Sequence, residues 1–212
     1  MPLAPQLILA SASAGRLRLL RQAGFDPQVI VSGVDESAIT ASDPAVLVTE
    51  LALAKATVVA ARVTDGLVLG ADSVLDLDGG ALGKPADMNA ARRRWAALAG
   101  REGVLRTGQA LLLVANGAVW ATDVVVGSTT VRFGHPDEAE LEAYLRSGEP
   151  LQVAGAFTID GLGGQFIESI DGDPGTVVGL SLALLRAQAA RVGVRLTDLW
   201  THEAVIRIRS GR

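Results

Sequence analysis

The dipeptide Asn116-Gly117 constrains this chain more than any other short feature. It stands between two β-rich runs, Val104–Ala115 and Ala118–Phe133. Asn-Gly tolerates the two positive φ values of a type I′ turn, so the runs are expected to pair as one long antiparallel hairpin. A second hairpin is expected at Asp78-Gly79-Gly80, directly after the strand Val74–Leu77. Elsewhere strands and helices alternate, which favours parallel pairing. Both tendencies together predict an α/β chain with a mixed sheet.

The remaining elements follow from apolar runs and their stop signals. Gln6–Ala10, Pro27–Val31, Leu67–Gly70 and Gln165–Ile170 read as strands. Helices are expected over Arg16–Ala23, Pro44–Arg62 behind a Ser42 or Asp43 cap, Asn89–Ala99, Pro136–Ser147 and Thr176–Val192. Gly33–Asp43 and Leu151–Gly164 read as irregular. Nothing resembling a linker, repeat or low-complexity tract divides the 212 residues, so a single domain is expected. Hydrophobic residues make up 49% of the chain and aromatics only 4%, which predicts a core built from Ala, Val, Leu and Ile.

Composition narrows the chemistry. Cysteine is absent, which removes disulfides, thiolate nucleophiles and Cys-based zinc sites. The two histidines, His135 and His202, are far apart, which disfavours a His-rich metal site or a His-relay hydrolase. A net charge of −4 argues against binding long nucleic acids. No apolar run approaches the roughly 20 residues of a membrane span. Leu7-Ile8-Leu9 with Ala10-Ser11-Ala12 imitates a signal-peptidase site, but no cation precedes it and the run is too short. A cytoplasmic protein is expected.

Carboxylates, cations and hydroxyls must therefore carry any reaction. Ser11, Ser13 and Arg16 lie in a small-residue turn between strand and helix, where free N–H groups and a positive dipole end suit phosphate. The same segment also reads as an ordinary Ser-capped helix with a surface arginine. Lys55 falls in the apolar stripe Val48, Leu51, Ala52, Val58 and Val59. It either snorkels or points a cation into a cleft. Asp72 follows a buried run, where α/β sheets place ligands, or serves a turn. The second hairpin folds Lys84 back towards the strand of Asp72. Asp35-Glu36 alone reads as a solvated acidic pair. The loop Gly155–Gly164, with Asp160, either closes on a ligand or simply turns. Arg92-Arg93-Arg94 reads as a solvated helix face and His135 as a helix cap. Trp95, Trp120 and Trp200 read as packing residues.

In order along the chain, these pieces resemble the Maf family of nucleoside triphosphate pyrophosphatases. The resemblance is carried by Leu7–Ser13 with Arg16, Val34-Asp35-Glu36, Leu53-Ala54-Lys55-Ala56, Gly70-Ala71-Asp72-Ser73 and Leu82-Gly83-Lys84-Pro85. It continues through Thr107-Gly108, Ser147-Gly148-Glu149-Pro150, Ala154-Gly155, Asp160-Gly161-Leu162-Gly163 and Val177-Val178-Gly179-Leu180. It implies a Maf/ITPase-like fold with two lobes, an elongated mixed sheet flanked by helices, and a cleft between the lobes, often as a homodimer. It implies hydrolysis of a nucleoside triphosphate to monophosphate and pyrophosphate. Asp72 matches the proton acceptor; Ser11, Arg16, Lys55 and Lys84 match the phosphate site, to which Ser13 is added; Glu36 matches the metal region. Glu36 and Asp72 are then the expected ligands of Mg²⁺ or Mn²⁺.

Departures from the family pattern concern the base. Members acting on dTTP and UTP usually carry Pro-Arg-Arg, where this chain has Ala14-Gly15-Arg16. They usually have Asp-Thr, here Asp72-Ser73, and Ile-Gln-Gly, here Ile159-Asp160-Gly161. Gly15, Ser73 and Asp160 are thus the expected specificity positions, and they match neither the dTTP/UTP pattern nor the 7-methyl-GTP pattern. Two other readings compete: a nucleotide-binding regulator of septum formation with little catalysis, and a phosphatase acting on another phosphorylated metabolite.

Overall fold

A computed structural model describes residues 5–201. Seven strands form one sheet in the order β2-β1-β3-β5-β6-β7, with β4 also paired to β3. The strands are β1 (Leu7–Leu9), β2 (Gln28–Val29), β3 (Gly66–Leu77), β4 (Gly80–Leu82), β5 (Glu102–Ala115), β6 (Ala118–Phe133) and β7 (Ile167–Asp171). β1 runs parallel to β2 and β3, and every other pairing is antiparallel, so the sheet is mixed as expected. Both hairpins form where the sequence places them. Asp78 and Gly79 have φ values of 54° and 83°, and Asn116 and Gly117 of 54° and 73°.

The helices are α1 (Ala14–Gln22), α2 (Pro44–Ala60), α3 (Met88–Leu98), α4 (Glu138–Arg146), α5 (Pro174–Val178) and α6 (Leu182–Arg191). Two expectations need correction. The single helix expected over Thr176–Val192 is two, because left-handed Gly179 ends α5 and the Ser181 hydroxyl caps α6. The helix expected from Pro136 starts at Glu138. Asp137 caps it through a reciprocal box with Glu140, so His135 is not its cap.

Strand alternation sorts the core. Leu7, Leu9, Leu67, Leu69 and Leu111 face Leu20 of α1 and Leu185 and Ala189 of α6. Ile8, Ala10, Val68, Ala110 and Leu112 face Ala52, Ala56 and Val59 of α2 on the opposite side. The far end of the same long strands supplies a separate core. There Leu75, Leu105, Val131 and Phe133 pack with α3 and α4. Its centre is aromatic, contrary to the aliphatic expectation. Trp95 meets Phe133, Tyr144 and Phe166 edge to face at 5.8, 5.9 and 5.8 Å, while Phe157 packs on Phe133 at 4.9 Å. Trp95 is thus a packing residue, but Trp120 and Trp200 are 70% and 48% exposed. The arginine run is not simply solvated either: Arg92 pairs with Glu138 and Glu142, joining α3 to α4. The fold therefore has two lobes, with strand β3 passing from one core to the other.

Candidate active site

β3 carries two partners on one edge. β1 covers Leu67–Leu69, and β4 covers Leu75–Leu77. Between them the edge is open, and Asp72 and Ser73 lie in that interval. The carboxyl end of parallel strand β1 opens onto the same gap, the place where α/β sheets bind ligands. The last β1-side bond runs from the Ala10 N–H to the Leu69 carbonyl at 2.8 Å. The next outward carbonyl, that of Ala71, is taken by a side chain: Arg16 Nη1 donates to it at 2.8 Å.

Arg16 holds the gap together. Its Nε donates to the Gly179 carbonyl at 2.8 Å, Nη1 also to Ser11 Oγ at 2.9 Å, and Nη2 to Ser73 Oγ at 3.0 Å. Ser73 Oγ is in turn 2.8 Å from Thr107 Oγ1, which donates to the Thr176 carbonyl. Arg16 is buried, not the surface residue of the simpler reading. Burial pushes its guanidinium below its ordinary value, and Asp72 and then Glu36 oppose that shift. Ser13 is the α1 cap: its Oγ accepts from the Arg16 N–H at 3.3 Å.

Lys55 reaches the gap from the opposite face. Its Nζ lies 2.5 Å from Asp72 Oδ1 and 2.6 Å from Glu36 Oε1. The side chain is 9% exposed, and Asp72 13%. The cleft reading of Lys55 therefore holds over snorkelling. Close packing makes this reach possible. A Cβ on Gly70 would sit 2.2 Å from the Ala52 carbonyl oxygen, and one on Gly108 2.2 Å from that of Val48. Two glycines on neighbouring strands thus let the α2 backbone rest directly on the sheet beside Asp72. Glu36 is 58% exposed, yet it is bound into the site through Lys55 rather than being a free solvated residue.

The remaining expected residues are spread around this centre. The second hairpin does turn the chain back along β3, but Lys84 is exposed and makes no hydrogen bond or ion pair with the described residues. The carbonyl of its neighbour Gly83 accepts from the Gly155 N–H at 3.1 Å. Gly15 lies in the first turn of α1. Asp160 pairs with Arg18 of α1, so the 155–164 loop does meet the first lobe. That loop is pinned from its own lobe by Glu149, which accepts from Thr158 Oγ1 at 2.6 Å and from the Leu162 and Gly163 N–H groups at 3.0 Å each. Sequence reasoning assigned no role to Thr107, Arg18 or Glu149. Thr107 and Glu149 stood only within longer matching segments, and Arg18 had no signal at all.

Both carboxylates that could hold a divalent cation, Glu36 and Asp72, converge on one ammonium group. Among the described residues no cluster of three or more His, Cys, Asp or Glu is present. Two carboxylates beside an open crevice are the donor type that suits a hard cation taking its further oxygens from water and a ligand. Also among the described residues, no helix is long and apolar enough to cross a membrane.

A mixed α/β sheet that brings carboxylates, buried cations and a capped helix start to one strand end defines an α/β protein with a charged crevice at its sheet edge. Its sequence places it further. The pattern of the Maf-like protein family matches residues 6–192. A nucleoside triphosphate pyrophosphatase of Streptomyces coelicolor is 57% identical over 198 residues, covering 92% of this chain and 94% of that one. The protein of the same name from Mycolicibacterium gilvum is 51% identical over 206 residues, covering 92% and 99%. The Staphylococcus aureus Ham1 protein structure superposes with a TM-score of 0.44 at 13% identity, over 98% of this chain and 100% of that one. The chain belongs to the Maf family.

Proposed function

We propose that the protein is a nucleoside triphosphate pyrophosphatase, converting its substrate to the monophosphate and pyrophosphate at the open segment of β3. Family membership and the names of the relatives support the reaction class over a septum regulator without catalysis. The observation that carries the site is the Lys55 ammonium held between Asp72 and Glu36. A pure binder has no use for a carboxylate kept at such an edge, and release of pyrophosphate rather than orthophosphate separates this reading from a general phosphatase.

In this reading the polyphosphate lies along the α1 start, against Ser11 and Ser13. Lys55 turns from the carboxylates to the phosphates, and this exchange frees Asp72 as a base. Water attacks the α-phosphorus, its proton passes to Asp72, and the α–β anhydride bond breaks. Pyrophosphate leaves with its charge offset by Lys55, Lys84 and the fixed charge of Arg16. Glu36 and Asp72 would hold Mg²⁺ or Mn²⁺, which would supply Lewis-acid stabilisation of phosphate charge. Gly15, Ser73 and Asp160 border the base. Arg16 has four of its five N–H donors already engaged, so its part is to fix Ser11 and Ser73 and to add charge. Cytoplasmic residence and a homodimeric state belong to the same proposal and rest on the family resemblance; light scattering reads the second.

The test is a nucleoside triphosphate panel with Mg²⁺ or Mn²⁺, scoring pyrophosphate. Asp72→Asn should lower the best rate by about 10³-fold or more, since it removes the base and a cation ligand together. A fully active variant, or a parent that turns over no nucleotide, refutes the mechanism.

A further inference from the structure

Arg92, Arg93 and Arg94 follow one another on α3 and meet three different fates. Arg92 pairs with Glu138 and Glu142, and Arg93 is exposed. Arg94 is half-buried, and its Nη1 donates to the Gly83 carbonyl. Its Nε and Nη2 make no hydrogen bond with the described residues, and it has no carboxylate partner among them. Burial pushes its guanidinium below the ordinary value, as it does that of Arg16, but no carboxylate opposes the shift as Asp72 does for Arg16. A desolvated cation without a counter-charge is costly to keep. The Gly83 carbonyl does not require it, because the Gly155 N–H already donates there at 3.1 Å.

The place of Arg94 is fixed by its neighbours. Trp95, next to it on α3, donates from Nε1 to the Ala156 carbonyl at 2.8 Å, which ties the helix to the segment that holds Gly83. Leu82 pairs with Leu75 of β3, and a Cβ on Gly155 would sit 3.0 Å from that of Leu75. Leu75 stands three residues from Asp72, about 10 Å along the strand. It shares a face of β3 with Ser73, the partner of Arg16. Arg94 thus stands at the second-lobe end of the open segment, on the face that Arg16 occupies from the first lobe, and is bonded to the residue before Lys84.

We infer that Arg94 is a phosphate-binding residue, and that with Lys84 it takes the pyrophosphate end of the substrate. The inference rests on the nucleotide reading above. Bond cleavage leaves charge on the departing pyrophosphate, and the crevice must offset it. Arg16 has already given four of its five N–H donors to the protein, and Lys55 is held by two carboxylates. Lys84 and Arg94 have donors unspent among the described residues and no carboxylate to give up first. Nε and Nη2 of Arg94 form one edge of the guanidinium plane, a pair of donors that two phosphate oxygens accept together. Lys84 adds a point charge on a flexible stem. The α-phosphorus must lie at Asp72, so a cation three strand residues away meets the outer phosphates rather than the reacting one.

Calorimetric titration of the full-length protein with inorganic pyrophosphate tests this. Arg94→Gln should weaken pyrophosphate binding by about tenfold or more, the loss of one charge-assisted paired contact. Arg94→Lys should weaken it by about threefold, because it keeps the charge without the fork. Arg93→Gln makes the same change of net charge one position away on an exposed side chain and should leave binding within about twofold. Nucleoside monophosphates, which lack the outer phosphates, should bind the parent and Arg94→Gln alike. Both Arg94 variants should unfold at the urea concentration of the parent, since the Gly83 carbonyl keeps its Gly155 donor. A parent that binds no pyrophosphate, an unchanged affinity in Arg94→Gln, an equal loss in Arg93→Gln, an equal loss for the monophosphates, or unfolding of Arg94→Gln would each overturn the inference. Pyrophosphate release from the nucleotide panel separates the two proposals. Turnover with an unchanged pyrophosphate affinity in Arg94→Gln sinks the role of Arg94 alone; an affinity that depends on Arg94 without turnover sinks the catalytic reading alone.

Discussion

Two buried cations lie within the same gap in β3, and they are held in opposite ways. Arg16 is fixed by neutral protein acceptors: two backbone carbonyls and two hydroxyls on three different segments, the turn before α1, β3 and the α5–α6 junction. Lys55 is held only by two carboxylates, at 2.5 and 2.6 Å. A polyphosphate or a divalent cation can exchange with those contacts, but it cannot replace the carbonyl bonds of Arg16. The first cation belongs to the frame of the crevice and the second to its moving parts. Charge and burial alone do not distinguish them, for both residues are 7% exposed; the chemistry of the acceptors does.

The largest expected effect strikes the frame. Arg16→Met leaves the Ala71 and Gly179 carbonyls without that donor, while the Ser11 and Ser73 hydroxyls keep the Ser13 N–H and Thr107 as partners. Each unsatisfied buried group costs about 1–3 kcal/mol, and partial hydration lowers the sum. A loss of about 3 kcal/mol in unfolding free energy is expected, read by urea melts at neutral pH. Arg16→Lys should recover less than half of it, because an ammonium keeps the charge but not the planar fork. Full recovery by lysine would make Arg16 a simple charge and erase the contrast with Lys55.

The next effect is nearly zero for stability, and that is its value. Lys55→Met/Asp72→Asn replaces the ion pair by an apolar stem and an amide of similar size. Desolvating two charges costs about as much as their attraction returns, so such replacements are often neutral or stabilising. The double variant should unfold within about 1 kcal/mol of the parent, or later, while pyrophosphate release is lost. If it is as unstable as Arg16→Met, Lys55 and Asp72 are part of the frame after all.

What the chain reveals before folding follows the same division. Both hairpins, the α2 helix and the apolar stripe around Lys55 are written in neighbouring residues, so local rules find them. The capture of Asp72 by Lys55 depends on Gly70 and Gly108 admitting the α2 backbone, and only the folded sheet shows that Gly108 pairs with Asp72 itself, diagonal to Gly70 under one helix. The Arg16 fixture draws on Gly179, 163 positions away, and the Arg18–Asp160 contact spans 142. No periodicity or capping rule reports on such distances. Where fold and local pattern differ, competing local signals decide the outcome. Gly179 broke a continuous helical pattern that Val177 to Leu185 otherwise supports. The capping box of Asp137 with Glu140 outcompeted Pro136 for the start of α4. Five of the few aromatics were gathered into one core, so a low average hid a concentrated centre.

The smallest effect concerns a fixed anion, which extends the contrast to the opposite sign of charge. Glu149 is only partly buried, and burial pushes its carboxyl up. The Thr158 hydroxyl and the Leu162 and Gly163 N–H groups outweigh that and hold it below its ordinary value. A carboxyl lowered on folding adds stability that is present above its unfolded value, about 4.3. That contribution is lost as pH falls through the lower, folded value. Glu149→Gln keeps one accepting oxygen and turns the other into a donor facing N–H groups. It should cost about 1 kcal/mol at pH 7. The gap between parent and variant should hold from pH 7 to about pH 5 and narrow below it, as measured by urea melts at stepped pH. Because Glu149 pins the loop that carries Asp160, the ranking among bases should blur in the variant while Arg16 and Lys55 keep their places. A gap that widens with acid would mean that Glu149 is held by its burial, not by its three donors.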